Sequence, residues 1–222
     1  MATETTTNNF NWIAPFYDHL TRWVFRGWVQ KSQCWFLSLI PEQAHVLILG
    51  GGAGWIANAV LQQTKAKKIT YIEASERMIS LTRQKIKPGD AKKIIYIHGT
   101  EKDIPPQAVY DVIITNFYLD LFPEAYLNKV VQLLADSVRG GGYWFYTDFN
   151  IGHRKWWGRT GQRITVWGMY LFFKWTSGIE GNRLFHYGEL IEKAGFARNW
   201  KADFLSGFIL SEVCVKKNIS TP

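Results

Sequence analysis

The sequence predicts an α/β fold: a mostly parallel, seven-stranded sheet with helices on both faces and a closing antiparallel hairpin. Three observations predict it. Strand-like and helix-like segments alternate from His45 onward. The strand segments are continuous apolar runs, as expected where both faces of a parallel sheet are covered. A glycine turn, Gly50-Gly51-Gly52-Ala53-Gly54, directly follows the first of these runs.

The elements follow in order. Residues 10–40 carry Phe16, Leu20, Trp23, Val24, Trp28, Trp35, Phe36 and Leu39 at helical spacings, which predicts two N-terminal helices. His45 to Leu49 is the first strand and Trp55 to Gln63 the helix after the glycines. Lys68 to Glu73 is the second strand, and Ser75 to Ile86 a helix with Ser75 as its N-cap. Lys93 to Ile97 and Tyr110 to Thr115 are the third and fourth strands. Pro123 to Ser137 is a helix, and Tyr143 to Asp148 a fifth strand entered through a Gly-Gly-Gly turn. Residues 150–185 break the rhythm. Tyr187 to Ala194 is a last helix capped by Gly195. Ala197 to Phe204 and Phe208 to Lys216 form a hairpin around Ser206-Gly207.

At 222 residues the chain is expected to be one domain. It divides into a disordered tail (1–9) and a domain (10–222) with N-terminal helices (10–40), a core (45–149), an aromatic cap (150–185) and the last helix and hairpin (186–216). Hydrophobic residues are 47% and charged residues 20%, which excludes a disordered chain, a coiled coil and a fibre. Two cysteines, Cys34 and Cys214, exclude a disulfide scaffold and a cysteine zinc cluster, and fit a reducing cytoplasm. The polar, Thr-rich start does not read as a signal peptide. The apolar run from Ile164 to Phe173 is far short of the ~20 residues that span a bilayer. Peripheral membrane contact stays open. A net charge of +8 with 16% aromatic residues suits an anionic or a flat apolar partner.

The chemistry-bearing pattern begins at the glycines. They allow a ligand to approach the backbone closely, and the helix after them offers unpaired amides to a negative group. Glu73 ends the second strand 23 residues after Gly50, where an acid takes a pair of ribose hydroxyls. A nucleoside-containing cofactor follows from this order; a purely structural turn with a solvated Glu73 is the competing reading. Gly52-x-Gly54-x-x-Ala57 also fits a looser dinucleotide pattern, and Tyr170-x-x-x-Lys174 mimics a short-chain dehydrogenase pair. The glycine spacing differs, however, and Trp157 and its neighbours stand where a catalytic Ser belongs.

Taken together, the chain resembles the class I S-adenosylmethionine-dependent methyltransferases, whose fold is Rossmann-like. Val46 to Gly54 resembles their first motif, with Gly50, Gly51, Gly52 and Gly54 at the cofactor. Tyr71 to Ile79 resembles the second, in which Glu73 and Ala74 lie at the ribose and Met78 near the adenine. Gly99 to Pro105 resembles the adenine-side loop. Thr100 stands where Asp is usual, with Glu101 beside it, and Ile48 stands where the first motif usually has an acid. Tyr110 to Phe117 resembles the motif that floors the methyl-transfer site, here with Asn116. Val138 to Gly142 resembles the turn before strand five. Ala14-Pro15-Phe16-Tyr17-Asp18 resembles the ubiquinone/menaquinone-biosynthesis type, which implies Tyr17 over the cofactor and residues 10–26 as its cover.

The resemblance implies S-adenosylmethionine as cofactor, no metal, and direct in-line methyl transfer. The cap holds Trp156, Trp157, Tyr170 and several uncompensated cations, which suits a planar or acyl, small-molecule or lipid-like acceptor. Candidates for a general base are His153, Asp148, Asp120 and Tyr118. Nucleic acid is not the expected acceptor: Asn116-Phe117-Tyr118 lacks the prolines of amino-methylating DNA enzymes, and neither cysteine follows a proline. An aminopropyltransferase-like enzyme and a non-catalytic S-adenosylmethionine-binding protein are the alternatives. Ala53 and Asn116 stand where aminopropyl transfer usually has Asp.

Overall fold

The computed structural model describes residues 27–150, 187–205 and 207–218. Helix α1 (Trp28–Cys34) leads through a 3-10 turn (Leu37–Leu39) into β1 (His45–Leu49), α2 (Trp55–Gln63), β2 (Lys68–Glu73) and α3 (Glu76–Lys85). Next come β3 (Ile94–His98), β4 (Tyr110–Asn116), α4 (Glu124–Asp136) and β5 (Val138–Phe149). The chain ends in α5 (Tyr187–Lys193), β6 (Phe196–Phe204) and β7 (Ile209–Lys216). The seven strands form one sheet in the order β3-β2-β1-β4-β5-β7-β6, parallel except for β7. This is the predicted Rossmann-like class I methyltransferase architecture. The expected N-terminal cover (10–26) and all but the first residue of the expected cap (150–185) lie outside the described residues.

The apolar strand runs are explained by burial on both faces. Val46 and Ile48 join Ile56, Val60 and Ile79 in one core, against α2 and α3. Leu47 and Leu49 point the other way, into a core with Leu127, Val130, Val131, Leu134 and Ile191 from α4 and α5. The second set places α4 at the i, i+3, i+4, i+7 spacing of a helix with one apolar face. Helix α3 starts where Ser75 accepts the Met78 amide at 3.3 Å. Glu76 lies in its first turn and Arg83 and Lys85 in its last, as the helix dipole favours.

One expectation needs correcting. The glycines before strand five are not a separate turn: β5 already begins at Val138 and carries them. Its pairing with β4 slips between Tyr110 and Val112, so several β5 residues face one step of β4. Gly141 takes φ +70, and a Cβ on Gly142 would stand 2.9 Å from the Asp111 carbonyl oxygen. Without side chains the bulge can pass that close.

The α5 face also holds a polar group among its apolar residues. Glu212, 2% exposed, accepts from the Tyr146 hydroxyl and from Arg198 Nη2 (2.5 Å) and Nε (3.2 Å). Beside it, Trp144 is fully buried and its indole N–H donates to Thr115 Oγ1 at 2.9 Å. Among the described residues no helix is long and apolar enough to cross a membrane.

Trp144→Ala removes the largest fully buried side chain among the described residues and leaves Thr115 Oγ1 without its donor. The expected loss is about 3–5 kcal/mol of unfolding free energy, read as a lowered urea midpoint.

Candidate cofactor and acceptor site

The strand order reverses direction between β1 and β4, and the crevice beyond the carboxyl ends of the parallel strands is where such sheets hold ligands. The sequence-predicted residues Gly50 to Gly54, Glu73, Ala74, Met78, Thr100, Glu101 and Asn116 all gather at that end. Tyr17, His153, Trp156, Trp157 and Tyr170 lie outside the described residues.

Three of the turn's glycines lack side chains because the protein leaves them no room. A Cβ on Gly50 would meet the Tyr118 ring at 2.5 Å, one on Gly51 the Tyr71 ring at 2.4 Å, and one on Gly54 Thr82 Cγ2 at 2.4 Å. Gly52 differs: it has φ +60, and no described residue lies within 4 Å of where its Cβ would be. Its open side faces the space a ligand would occupy. Helix α2 begins with Gly54 as N-cap and has no side-chain cap, so its first amides remain for a negative ligand group.

Glu73 fixes this turn to the second strand. One carboxylate oxygen accepts the Gly52 amide at 2.9 Å and the other the Ser75 amide at 3.0 Å. Burial pushes its carboxyl above the ordinary range, outweighing the amides of Ser75 and Gly52 that favour the charged form. Each oxygen keeps a lone pair, which suits it to a diol. Two residues not singled out in the sequence hold the turn from behind. The Tyr71 phenol donates to the Gly52 carbonyl at 2.5 Å, and the Thr82 hydroxyl stands 3.1 Å from the same oxygen. The only sequence signal for Thr82 is its place one helical turn after Met78, whose carbonyl it also reaches at 2.8 Å.

On the third-strand side, His98 Nε2 lies 3.0 Å from the Ala74 carbonyl oxygen. Thr100 is exposed and caps a short 3-10 turn (Glu101–Asp103), with its own amide donating to Asp103. Glu101 turns inward instead. It is 3% exposed, and its oxygens accept from Tyr118 (3.1 Å) and Tyr126 (3.0 Å). Its carboxylate braces Tyr118, whose ring lies on Gly50, so its link to the glycine turn runs through that tyrosine.

The end of β4 carries the remaining candidates. Asn116 is 8% exposed, and its Nδ2 donor has no partner among the described residues. Phe117 takes φ +51, a conformation that costs a non-glycine residue about 1–2 kcal/mol, while its amide donates to the Thr147 carbonyl at 2.7 Å. Its ring packs on Phe149 (4.7 Å between centroids), which packs on Phe208 (5.2 Å). Burial and the neighbouring Glu101 keep the Tyr118 phenol protonated well beyond neutral pH, which makes it a poor general base. Burial raises Asp120 to about 6. Asp148, 3% exposed, is pushed well above the carboxylate range by burial and then by Asp120. Among the described residues no group of three or more His, Cys, Asp or Glu is placed to hold a metal ion.

Residues 46–142 match the family model of the methyltransferase domain. The chain is similar in structure to a candidate S-adenosylmethionine-dependent methyltransferase of Listeria monocytogenes (16% identity, 85% of this chain and 100% of that one, TM-score 0.59). It is similar to the N-methyltransferase NodS of Bradyrhizobium japonicum (13%, 85% and 95%, 0.60). It is also similar to an O-methyltransferase family protein of Burkholderia thailandensis (15%, 92% and 59%, 0.69). No curated protein matches the chain. Residues 46–142 are thus a methyltransferase domain, on a fold shared with a Listeria protein described as dependent on S-adenosylmethionine. The open side of Gly52, the uncapped start of α2 and the two Glu73 oxygens fit that group.

The raised Asp120 carboxyl has a consequence for stability. The folded protein binds a proton there that the unfolded chain, with its ordinary value of 3.8, has already lost. The contribution is complete below about pH 4 and is lost as pH rises through about 6. Asp120→Asn keeps the neutral state at all pH. It is expected to match wild type near pH 4 and to be the more stable of the two at pH 7, measured by urea unfolding at each pH.

Proposed function

We propose that this enzyme methylates a small-molecule or lipid-like acceptor. The observation that carries the reading is the apolar face at the carboxyl end of the sheet formed by the half-buried Phe117 and Phe149, whose rings tilt against one another over the buried Phe208, next in the chain to Asn116, whose amide nitrogen has no partner among the described residues. Such a surface takes a flat or acyl group by burial of apolar area. The similarity to an N-methyltransferase and to an O-methyltransferase family protein supports the same acceptor class.

S-adenosylmethionine supplies a methyl group on a positively charged sulfur, so the chain's own task is mainly one of position. Glu73 holds the ribose hydroxyls, the Gly50 to Gly54 turn passes under the nucleoside, and Met78 flanks the adenine. The Tyr118 ring, braced by Glu101, keeps Gly50 in place. Asn116 meets the acceptor side. The ubiquinone/menaquinone-biosynthesis type is the finer assignment within this reading; it rests on Ala14 to Asp18, which lie outside the described residues, with Tyr17 closing over the cofactor and Trp156, Trp157 and Tyr170 over the acceptor. No feature of the described site favours nucleic acid.

Glu73→Ala removes a charged hydrogen-bonding partner of about 1.5–3 kcal/mol and loosens the Gly52 amide, so cofactor affinity is expected to fall ten-fold or more on calorimetric titration. Equal affinity in the two proteins would discard the assignment of the site. For the acceptor, labelled cofactor is offered with a panel of phenols, quinols, amines and lipids and, separately, with RNA and DNA. Label in the small-molecule panel is the expected result. Label confined to nucleic acid contradicts the reading, and label in neither favours a binding protein.

A further inference from the structure

The turn from Gly51 to Gly54 is closed by the Gly54 amide, which donates to the Gly51 carbonyl at 3.3 Å. Its central peptide joins Gly52 to Ala53 and takes no part in that bond. The common turn types differ by a half-turn of this one peptide unit. Gly52, at φ +60, resists neither orientation, because glycine accepts both signs of φ. Closing the turn therefore leaves the direction of its central peptide to be set from outside.

Two hydroxyls set it. Tyr71 and Thr82 are both fully buried. The Tyr71 phenol donates to the Gly52 carbonyl at 2.5 Å. The Thr82 hydroxyl lies 3.1 Å from the same oxygen and 3.3 Å from the phenol. It also reaches the Met78 carbonyl at 2.8 Å, which ties the turn to α3. The same two side chains stand against the ends of the turn, where a Cβ on Gly51 or on Gly54 would meet them at 2.4 Å. In a trans peptide the carbonyl of one residue and the N–H of the next point in opposite directions. The described peptide bonds are all trans. A Gly52 carbonyl drawn onto Tyr71 and Thr82 therefore turns the Ala53 N–H away from both. Among the described residues that amide has no hydrogen-bond partner. Beside it Gly52 leaves open space, with no described residue within 4 Å of its Cβ position.

We propose that Tyr71 and Thr82 are positioning residues of the cofactor site: by fixing the Gly52 carbonyl they hold the Ala53 N–H as a donor toward the bound cofactor. This rests on the reading of the glycine turn as the place of S-adenosylmethionine. Neither hydroxyl touches the cofactor; both act through the Gly52–Ala53 peptide. Glu73 holds the Gly52 amide at 2.9 Å, so the peptide units on both sides of Gly52 are set before a ligand arrives. A central peptide free to flip would present the Ala53 N–H only part of the time, and apparent affinity falls by that fraction.

The test uses the full, isotopically labelled chain and S-adenosylhomocysteine. Hydrogen exchange at the Ala53 amide, followed by nuclear magnetic resonance, is expected to slow about ten-fold or more when the ligand is added to wild type. Tyr71→Phe and Thr82→Val keep the ring and the branched shape and remove the hydroxyls. The double variant is expected to bind S-adenosylhomocysteine about ten-fold more weakly on calorimetric titration, and its Ala53 amide to gain little protection. Thr82→Ser, which keeps a hydroxyl, is expected to recover most of the affinity lost in Thr82→Val. A role in folding alone would lower the urea midpoint and leave the affinity of the folded protein unchanged. Wild-type affinity in the folded double variant would therefore overturn the proposal. So would a wild-type Ala53 amide that exchanges equally fast with and without ligand. That second measurement needs no variant, so it decides the matter even if the double variant does not fold. A wild-type chain that does not bind S-adenosylhomocysteine at all would instead remove the underlying methyltransferase reading.

Discussion

The contact on which the site depends is the Glu73 carboxylate held between two backbone amides, that of Gly52 at 2.9 Å and that of Ser75 at 3.0 Å. One is in the turn after β1 and the other caps α3, so a single side chain fixes the ends of two strands and the start of a helix. The glycine turn cannot fix itself. Its residues have positive φ at Gly50, Gly52 and Gly54, and glycine gives up more conformational freedom than other residues on ordering. Rigidity is therefore supplied from outside: by Glu73 at the amide of Gly52, by Tyr71 at its carbonyl, and by Tyr118 against Gly50. Preorganisation of this kind lowers what the protein must still order when a ligand arrives.

The polar groups of the interior divide into two kinds. Glu212 is fully engaged by Arg198 and Tyr146, and Glu101 by Tyr118 and Tyr126. Both sit in the core that packs against α4 and α5 or at its border, and both brace aromatic side chains. Asn116, Asp120 and Asp148, by contrast, each keep a buried atom with no partner. All three lie at the carboxyl end of β4 and β5. With Gln30 Oε1 of α1 they make up the unpartnered buried side-chain atoms among the described residues, so three of the four lie where a ligand would enter. The positive φ of Phe117 belongs to the same region.

Much of the fold was legible because its signals are local. Continuous apolar strands, the Ser75 cap, Gly195 after α5 and the amphipathic α4 each depend on neighbours in the chain. The glycine run at 140–142 misled for the same reason: read locally it is a turn, yet the register with β4 makes it a bulged strand. At the site, Gly50 to Gly54 and Glu73 could be read because their spacing reflects one β-α-β unit. The braces could not. Thr82 lies 30 residues from the Gly52 it supports, and Tyr118 lies 17 from Glu101. Glu101 read as a cofactor-side residue of the adenine loop because nothing near it in sequence tells that two tyrosines will cover it.

The position of β7 bears on how the molecule is made. It lies between β5 and β6, and its Ser211 hydroxyl donates to the Ser32 carbonyl of α1 at 2.9 Å. The helix emerging first among the described elements thus docks on the strand emerging last. Until β7 arrives, α1 lacks this contact and β5 presents an open, strongly apolar edge of the kind that invites pairing with another chain. Parallel strands β1 to β5 can assemble as synthesis proceeds, but the sheet stays unsealed on that side for most of it. The interval between making β5 and closing it with β7 is the time in which a chaperone has something to hold.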